Sequence, residues 1–453
     1  MEKKNTYYYS EFHNVFVLKQ EGKIPNPVLK KKGNRSLKNE FSGRLDGDRI
    51  KYEFANTNQL LFEVTDSCNL KCKYCAYGEY YCNYYNRKNK NLSFIKAKNL
   101  IDYFLTFINS SLYQSFNKSL AVGFYGGEPL LNFRLIKEII DYIEKVIPGC
   151  HYNMTTNGTL LNKHIDYLVR KNFQLLISLD GNEKNNSYRV YKNNSSSFKD
   201  ILRNIKLIQE RYPDYFKTNV NINSVLHNKN TVSDIFYFIN KEFNKVPKIA
   251  ELSPIGVRDE LKEDFMQKHQ NMAESLYKSE NCSDIIEALD VEAPERKMLT
   301  IFLYDFSGNV FKDYNELFID QNKVLKVPTK TCAPFSRKIF LTVNGKIYPC
   351  ERVGHFLEFG RVTDTKVIID FKKIAIRQNN FYDKLARKCL KCGRLRICTK
   401  CLLCEANNKK HIPICDSYTQ DKEALGKYLA TQLSQLENHP HLYDHIWRNI
   451  ILE

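Results

Sequence analysis

Short runs of apolar, β-branched residues alternate along this chain with longer segments in which apolar residues recur every three or four positions. From residue 59 onward the short runs predict six strands, at 59–65, 119–126, 151–156, 173–179, 217–225 and 248–254. The longer segments predict amphipathic helices between them, at 93–108, 133–147, 163–171, 197–212 and 232–244. This alternation is typical of an α/β fold, in which helices wrap a parallel sheet.

Polar or glycine-containing loops follow five of the six predicted strands. They are the cysteine segment after 59–65, GGEP (126–129), TTNGT (155–159), SLDG (178–181) and LSPI (252–255). Any one of them, TTNGT above all, is explained as an ordinary turn between a strand and a helix. The carboxyl ends of parallel strands meet at one edge of a sheet, however, so we expect the five loops to converge and form an active site there.

Three cysteines, Cys68, Cys72 and Cys75, stand in the first of these loops with the spacing C-x3-C-x2-C. Three thiolates in one short loop can hold three corners of an iron-sulfur cluster and leave the fourth iron for another ligand. Structural zinc is an alternative, and it would need a fourth ligand such as Cys82. Three unreactive core thiols are a further alternative.

Composition narrows the class of protein. The chain has 453 residues and a net charge of +18, but its lysines lie throughout the sequence and no RNA-binding motif accompanies them. We therefore favour a solvated basic surface over a nucleic-acid partner, although an acidic peptide remains compatible with the charge. The sequence has no apolar run of membrane-spanning length and no signal-peptide pattern, so we expect a cytoplasmic protein whose 14 cysteines are reduced and in part bind metal.

The cysteine triplet, with Tyr74 before its last member, resembles the signature of the radical SAM superfamily, and GGEP resembles that family's contact to S-adenosylmethionine (SAM). The resemblance implies a partial (β/α)6 TIM-like barrel. It also implies a [4Fe-4S] cluster on the triplet, which binds SAM at its open iron and cleaves it reductively. The resulting 5′-deoxyadenosyl radical abstracts hydrogen from the substrate.

The resemblance also implies which residues contact SAM. Glu128 would pair with the methionyl ammonium group, Ser178 would hydrogen-bond the carboxylate, and Arg189 would supply its counter-charge. A capped turn and a surface arginine are the plainer interpretations of the last two residues. The full predicted set is Gly126, Gly127, Glu128, Pro129, Asn157, Ser178, Arg189 and Ser253. No catalytic residue beyond the cluster is predicted.

A second cysteine-dense region resembles the SPASM extension of radical SAM enzymes that modify peptides, which carries two auxiliary [4Fe-4S] clusters. The first auxiliary cluster would use Cys332, Cys350 and one or both of Cys401 and Cys404. The choice between the last two stays open, because Leu402 stands where the usual pattern has a cysteine. The second cluster would use Cys389, Cys392, Cys398 and Cys415. A pair of zinc ribbons is the alternative, and Cys82, Cys150 and Cys282 are interpreted as ordinary thiols.

The sequence TVNGKIYPCERVGH predicts a hairpin whose Asn-Gly turn directs Cys350 to a cluster and places Arg352 and His355 beside it. The predicted domains are an N-terminal segment (1–58), the barrel (59–256), a helical bridge (257–330), the SPASM-like domain (331–430) and a helical tail (431–453). Within them we expect a short hairpin at 14–31 and strand structure in the bridge at 297–311.

The expected function is radical maturation of a ribosomally made precursor peptide, by a thioether or carbon–carbon crosslink or a related modification. A flavodoxin or ferredoxin would supply electrons. The alternatives are an anaerobic sulfatase-type maturase that forms formylglycine, and a zinc-stapled basic binding module without turnover.

Overall fold

The computed structural model describes residues 6–10, 15–19, 43–114, 119–306, 327–329, 331–395, 398–404, 406–407, 412–413, 415, 418–420 and 424–449. The N-terminal hairpin pairs β1 (Thr6–Ser10) with β2 (Val15–Lys19). A hairpin is thus present, but the partner of β2 precedes it in the chain, whereas we expected the hairpin within 14–31. Residues 20–42 lie outside the described part of the chain.

The predicted parallel sheet is confirmed. Six adjacent strands run parallel to one another: β3 (Gln59–Thr65), β4 (Ala121–Gly126), β5 (His151–Thr156), β6 (Gln174–Ser178), β7 (Val220–Leu226) and β8 (Lys248–Glu251). The helices that connect them are Phe94–Ile108, Phe133–Val146, Leu161–Arg170, Phe198–Arg211, Pro213–Asn219 and Val232–Phe243. Side-chain caps define several helix starts, for example Ser93, whose hydroxyl accepts from the Lys96 N–H.

The two faces of this sheet differ in exposure. Along β5 and β7 the residues that face the helices are fully buried, while the alternate residues are partly exposed. Strand side chains alternate between faces, so the inner face of the sheet is partly accessible at these two strands. We call the space in front of this face the chamber, and the partly buried polar side chains of Asn153 and Asn223 line it.

The C-terminal part of the chain extends the same sheet. β9 (Lys338–Leu341) pairs in parallel with β3, and β10 (Lys346–Tyr348), β11 (Gly360–Val362) and β12 (Val367–Ile368) follow as antiparallel strands. The predicted hairpin at the Asn-Gly turn is confirmed as β9–β10, with Gly345 at φ +74°. The cysteines of this region are thereby attached beside β3, next to the barrel.

The remaining elements are mostly helical. They are the helices Gly47–Ala55, Lys262–Lys268, Met272–Tyr277, Cys282–Leu289, Pro294–Phe306, Phe371–Cys389, Ala424–Asn438 and His441–Asn449, the 3-10 turns Pro129–Asn132, Asn185–Tyr188, Asp259–Leu261 and Asp290–Glu292, and a small pair β13 (Ala406–Asn407) and β14 (Ile412–Pro413). No helix in the described ranges is both long enough and apolar enough to cross a membrane.

One prediction for the bridge is wrong. We expected strand structure within 297–311, but residues 297–306 belong to the helix Pro294–Phe306, and 307–311 lie outside the described residues. The physical reason is packing. Leu299, Phe302 and Leu303 are buried against Leu429 and Ile446 of the tail helices, and a helix places all three of them on one face.

Candidate active site

The three cysteines of the first loop lie together directly after β3. The Cys75 N–H donates to the Cys72 carbonyl at 3.1 Å, which closes a tight turn between them. Burial raises the pKa of the Cys72 thiol to about 12, and Cys75 and Cys68 raise it further while Arg189 opposes the shift. Burial likewise raises the pKa of Cys68. A bound metal would reverse this effect, because it stabilises the thiolate form, so the donor set suits an iron-sulfur cluster.

The loop is fixed by the segment that follows β6. The Lys71 N–H donates to the Val190 carbonyl at 2.8 Å, and the Lys73 N–H donates to the Tyr188 carbonyl at 3.2 Å. Tyr74, between the cysteines, donates its hydroxyl hydrogen to Asp180. Two backbone bonds and one buried side-chain bond therefore set the position of the cysteines against the fourth strand of the barrel.

The glycines of GGEP admit the cysteine loop itself. A β-carbon on Gly126 would lie 2.0 Å from the Thr65 carbonyl oxygen, and one on Gly127 would lie 2.0 Å from the Ser67 carbonyl oxygen. The Gly127 N–H donates to Thr65 at 2.9 Å, and the N–H of the next residue, Glu128, donates to Ser67 at 2.8 Å. The backbone of residues 65–67 therefore occupies the space beside both glycines, and the predicted contact of GGEP with SAM stays a prediction.

Glu128 is bonded within the protein. Its side chain is fully buried, and its carboxylate accepts from the Thr156 hydroxyl at 2.7 Å, the Asn157 N–H at 2.7 Å and the Leu130 N–H at 3.1 Å. Burial raises its pKa to about 7. These bonds join GGEP to the TTNGT loop, and Glu128 also caps the turn that begins at Pro129. Its predicted pairing with the ammonium group of SAM stays a prediction.

Asn157 lies beside the cysteine loop, as the convergence of the rim loops predicts. Its amide donates to Asn69 at 2.9 Å and lies 3.8 Å from the Cys68 sulfur, while its oxygen accepts from the Thr159 N–H at 3.0 Å. Asn69 in turn donates to the Thr159 hydroxyl at 2.8 Å. The third loop is thereby bonded to the first.

Arg189 is paired within the protein. Its Nε and Nη2 each lie 3.1 Å from an oxygen of Asp180, and both side chains are buried. His227 Nε2 lies 3.7 Å from the same carboxylate, which also accepts from the Val225 N–H at 2.9 Å. Burial opposes ionisation of Asp180, but Arg189 and the hydrogen bonds from His227 and Tyr74 outweigh it and lower the pKa. The charge of Arg189 is therefore matched by Asp180 through Nε and Nη2, and its predicted role as counter-charge to SAM stays a prediction.

Sequence reasoning missed Asp180 and His227. The signal for Asp180 was its place in SLDG, at a rim turn close to an arginine, whereas nothing around His227 marked it. Ser178, the last residue of β6, is buried at the rim. Ser253 is exposed after β8, and its carbonyl accepts from the Tyr81 hydroxyl at 2.9 Å.

The C-terminal cysteines form two groups. In the first group, burial raises the pKa of Cys350 to about 12, with Cys401 among the further causes. A hydrogen bond from Cys404 lowers the pKa of Cys401, and the Leu402 N–H donates to Thr331 Oγ1 at 2.6 Å. The structure thus brings both Cys401 and Cys404 to Cys350. Cys332 is exposed. Burial raises the pKa of Tyr382, and the nearby thiols of Cys401 and Cys332 raise it further.

The second group is Cys389, Cys392, Cys398 and Cys415. Burial raises the pKa of Cys389 to about 12, and the other three thiols raise it further because they lie close to it. In the described part of the chain no three Cys, His, Asp or Glu side chains converge on one metal-ion position. A [4Fe-4S] cluster binds each thiolate at a different iron, so its ligands do not have to converge on a single point.

Aromatic side chains lie near both the first cysteine loop and the first C-terminal group. The rings of Tyr77 and Tyr84 lie 5.0 Å apart, and Tyr84 lies 5.0 Å from His355. Burial raises the pKa of Tyr84, and Cys404 and Cys350 raise it further. These aromatic side chains are therefore within electrostatic reach of the C-terminal cysteines.

Comparisons with known proteins agree with this geometry. Residues 62–240 match the model of the radical SAM superfamily. An uncharacterized protein of Methanocaldococcus jannaschii is 36% identical over 174 residues, which cover 38% of this chain and 54% of that protein. The radical SAM cyclopropyl synthase TigE of Paramaledivibacter caminithermalis is 25% identical over 84% of this chain and 75% of its own length.

The cysteine-type anaerobic sulfatase-maturating enzyme of Clostridium novyi is 24% identical over 79% of this chain and 90% of its own length. The solved structure of native anSMEcpe with bound AdoMet covers 86% of this chain and all of that chain, with a TM-score of 0.52 at 18% identity, which shows a shared fold. Residues 62–240 therefore carry a radical SAM domain. Over most of its length the chain is similar to enzymes, which favours an enzyme over a binding module without turnover.

Proposed function

We propose that this chain is a radical SAM enzyme that modifies a ribosomally made peptide. The observation that carries the proposal is the placement of the accessible inner face of the barrel between two sets of thiols. Burial raises the pKa of Tyr125 on that face, and Glu351 and Cys75 contribute to the shift. Cys75 belongs to the first loop and Glu351 follows Cys350, so a substrate in the chamber would lie between the two sets.

The radical SAM domain at 62–240 implies a [4Fe-4S] cluster and SAM, and we assign the cluster to Cys68, Cys72 and Cys75. When bound, this pair supplies a 5′-deoxyadenosyl radical that removes a hydrogen atom from the substrate. The backbone of GGEP, with Asn157, Ser178 and Ser253, lines the rim where SAM would bind. Asp180 and Arg189 hold the cysteine loop in place through Tyr74.

We assign two auxiliary clusters to the C-terminal groups. Cys350, Cys401 and Cys404, with Cys332, would hold the cluster next to the chamber, while Cys389, Cys392, Cys398 and Cys415 would hold the other. The proximity of both Cys401 and Cys404 to Cys350 supports including both. An auxiliary cluster suits a reaction that crosslinks, because closing the new bond releases an electron and a proton after the hydrogen has been abstracted. A flavodoxin or ferredoxin would supply the reducing electron.

The resemblance of the C-terminal cysteines to the SPASM extension of peptide-modifying enzymes supports a peptide as the substrate. TigE is a radical SAM cyclopropyl synthase, and its similarity extends over 84% of this chain. The net charge of +18 would also favour an acidic peptide segment. We propose the domain boundaries 1–58, 59–256, 257–330, 331–430 and 431–453, of which the barrel and the SPASM-like region would contact the substrate.

Formylglycine formation on a sulfatase is the second candidate. It is favoured by the similarity to the Clostridium novyi sulfatase-maturating enzyme, which covers 90% of that protein. The two reactions leave different products. A crosslink removes the mass of two hydrogen atoms per site, whereas conversion of a cysteine to formylglycine replaces its sulfur with an aldehyde oxygen.

Two measurements test the proposal. The anaerobically purified enzyme, given SAM and a reductant, should release 5′-deoxyadenosine, and the Ala variant of Cys68, Cys72 and Cys75 should not, although it keeps auxiliary iron. A short peptide encoded beside this gene and co-expressed with the enzyme should lose two hydrogen atoms per site in the mass spectrum. Colourless protein that contains zinc and leaves SAM intact would falsify the cluster assignments, and an unchanged peptide would argue against crosslinking.

A further inference from the structure

Four buried polar atoms without a hydrogen-bond partner lie on one cluster of side chains at the chamber wall. Among the described residues these are Glu63 Oε1, Tyr77 OH, Arg87 Nε and His355 Nε2. Tyr85 connects two of the four side chains: its hydroxyl donates to Glu63, and its ring stacks on His355 at 4.4 Å. The Tyr77 ring lies 5.9 Å from His355 and 4.4 Å below the Arg87 guanidinium.

Burial makes this arrangement costly for the protein on its own. Glu63 is fully buried and His355 is 6% exposed, so neither side chain can turn to bulk water. Folded proteins leave few buried polar groups unpaired, because each one has lost its hydrogen bonds to water without replacement. Four such atoms on side chains that touch one another indicate a place where a ligand supplies the missing partners.

The donor and acceptor roles of the four atoms follow from their surroundings. His355 Nδ1 accepts from the Tyr85 N–H at 3.4 Å, and burial lowers the pKa of His355 to about 3, so the neutral ring carries its hydrogen on Nε2. His355 Nε2 and Arg87 Nε are therefore both donors. Glu63 Oε1 is an acceptor when the carboxyl group is ionised, since Oε2 takes the bonds from Tyr85 and the Val343 N–H. The Tyr77 hydroxyl can act in either role.

We propose that these four atoms form a subsite that binds one peptide group of the substrate's main chain. A peptide carbonyl accepts two hydrogen bonds and a peptide N–H donates one, which matches two donors and one acceptor. The inference rests on the proposed peptide substrate and adds the place where its backbone is held. Arg87 also lies within electrostatic reach of Cys75 and Cys68, so a peptide held here would lie close to the first cysteine loop.

Two hydroxyl deletions test whether the unpaired atoms are kept for a ligand. Tyr77→Phe removes a hydroxyl without a partner, so the Tm of the anaerobic holoenzyme should stay equal to or above that of the wild type. Tyr215→Phe is the matched control, because its buried hydroxyl donates to the Phe173 carbonyl at 2.5 Å, and it should lower the Tm. A fall for Tyr77→Phe as large as that of the control would show that the hydroxyl bonds to a fixed water of the fold, and it would overturn the proposal.

Binding is measured with a defined probe, a pool of N-acetylated, C-amidated hexapeptides of mixed sequence. Holoenzyme with SAM is equilibrated with the pool, and retained peptides are quantified by mass spectrometry after ultrafiltration. Wild type and Tyr215→Phe should retain the pool, and Tyr77→Phe and Glu63→Gln should retain about tenfold less, the effect of one buried hydrogen bond. In Glu63→Gln the amide oxygen would keep the bonds from Tyr85 and Val343. The NH2 group would then face the peptide N–H, and two donors cannot bond to each other. A pool with N-methylated backbones should also be retained less by the wild type.

The outcomes separate the two proposals. Equal retention by all four proteins would show that the subsite is wrong while the peptide substrate stands. No retention by the wild type would remove the peptide substrate and the subsite together.

Discussion

Asp180→Asn separates a structural role of Arg189 from a role in binding SAM. Asp180 accepts from Arg189, Tyr74 and the Val225 N–H at the same carboxylate, and none of its surface is exposed. Asparagine has one oxygen and one NH2 group. At least one of the groups that now donate to an Asp180 oxygen would therefore face the NH2 group, which is itself a donor. The substitution also leaves the guanidinium of Arg189 buried without its counter-charge.

The size of the effect follows from the geometry. At 3.1 Å and an effective dielectric constant of about 20, the attraction between the two charges amounts to about 5 kcal/mol. Removing one partner of a buried pair destabilises proteins by about 3–5 kcal/mol. In a domain of this size each kcal/mol lowers the Tm by about 2–4 °C, so we expect a fall of roughly 10 °C.

The assay is thermal unfolding of the anaerobic holoenzyme, followed by circular dichroism, with iron content measured in parallel. The control is Asp166→Asn, because Asp166 pairs with Arg211 at 2.9 Å on the surface, where the Tm should not change measurably. The folded-state pKa of Asp180 is lowered, so its stabilising effect is present above its unfolded pKa of about 3.9 and is lost as the pH falls through the folded value. The Tm difference between wild type and Asp180→Asn should therefore shrink below about pH 4.

The reasoning is refuted if Asp180→Asn and Asp166→Asn unfold at the same temperature. An independent contradiction would come from Arg189→Gln, if it weakened SAM binding but kept the wild-type Tm. That result would assign the charge of Arg189 to the ligand, as the sequence predicted, and not to Asp180.

Three further predictions concern other parts of the fold. Gly127→Ala places a methyl group 2.0 Å from the Ser67 carbonyl oxygen, so it should destabilise by more than about 3 kcal/mol and lower the iron bound by the first loop, both measurable on purified protein. Burial raises the pKa of Glu63 to about 7, so wild-type stability should fall by roughly 3 kcal/mol as the pH rises from about 4.5 to 7, and Glu63→Gln should lack this slope in a Tm series. Leu299→Ala opens a cavity against the helix Ala424–Asn438 and should cost about 2–5 kcal/mol while SAM cleavage persists; an unchanged Tm would contradict the packing described.

The barrel strands were predictable from the local pattern of apolar residues. The ends of two of them depend on nearby prolines, which that pattern does not take into account. The runs 59–65 and 151–156 coincide with β3 and β5. The run 217–225 begins instead at Val220, because Pro213 starts a short helix in front of it. The last run stops at Glu251, before Pro254, whose nitrogen cannot donate to a neighbouring strand.

The bridge helix shows the limit of local pattern. The segment 297–306 is rich in β-branched and aromatic residues, which favour a strand on composition. Its helical form depends on the tail helices, whose buried residues Leu429 and Ile446 lie more than a hundred positions further along the chain. A partner so distant leaves no trace in the local sequence, so composition gave the wrong element.

At the site, the sequence identified the residues of the rim but not their partners. The resemblance to the radical SAM superfamily implied that Glu128 pairs with the ammonium group of SAM and that Arg189 supplies the counter-charge to its carboxylate. Both are buried against protein groups, Glu128 with the TTNGT loop and Arg189 with Asp180. Whether a charged side chain pairs with a ligand or with a neighbouring loop depends on distances of a few ångströms between segments. The spacing of residues along the chain does not give those distances.

The buried charges of the rim have one common effect, which is to hold the cysteine loop. Asp180 fixes Tyr74, Glu128 fixes the loop that contacts Cys68, and the glycines before Glu128 let Ser67 approach. Because a reacting group displaced by about 1 Å can lose on the order of a hundredfold in rate, a loop that carries a radical-generating cluster gains more from rigid anchoring than from an additional ligand contact. We therefore expect the substrate to contact the inner face of the sheet and the tyrosine-rich segment after the cysteines, where the unpaired polar atoms lie.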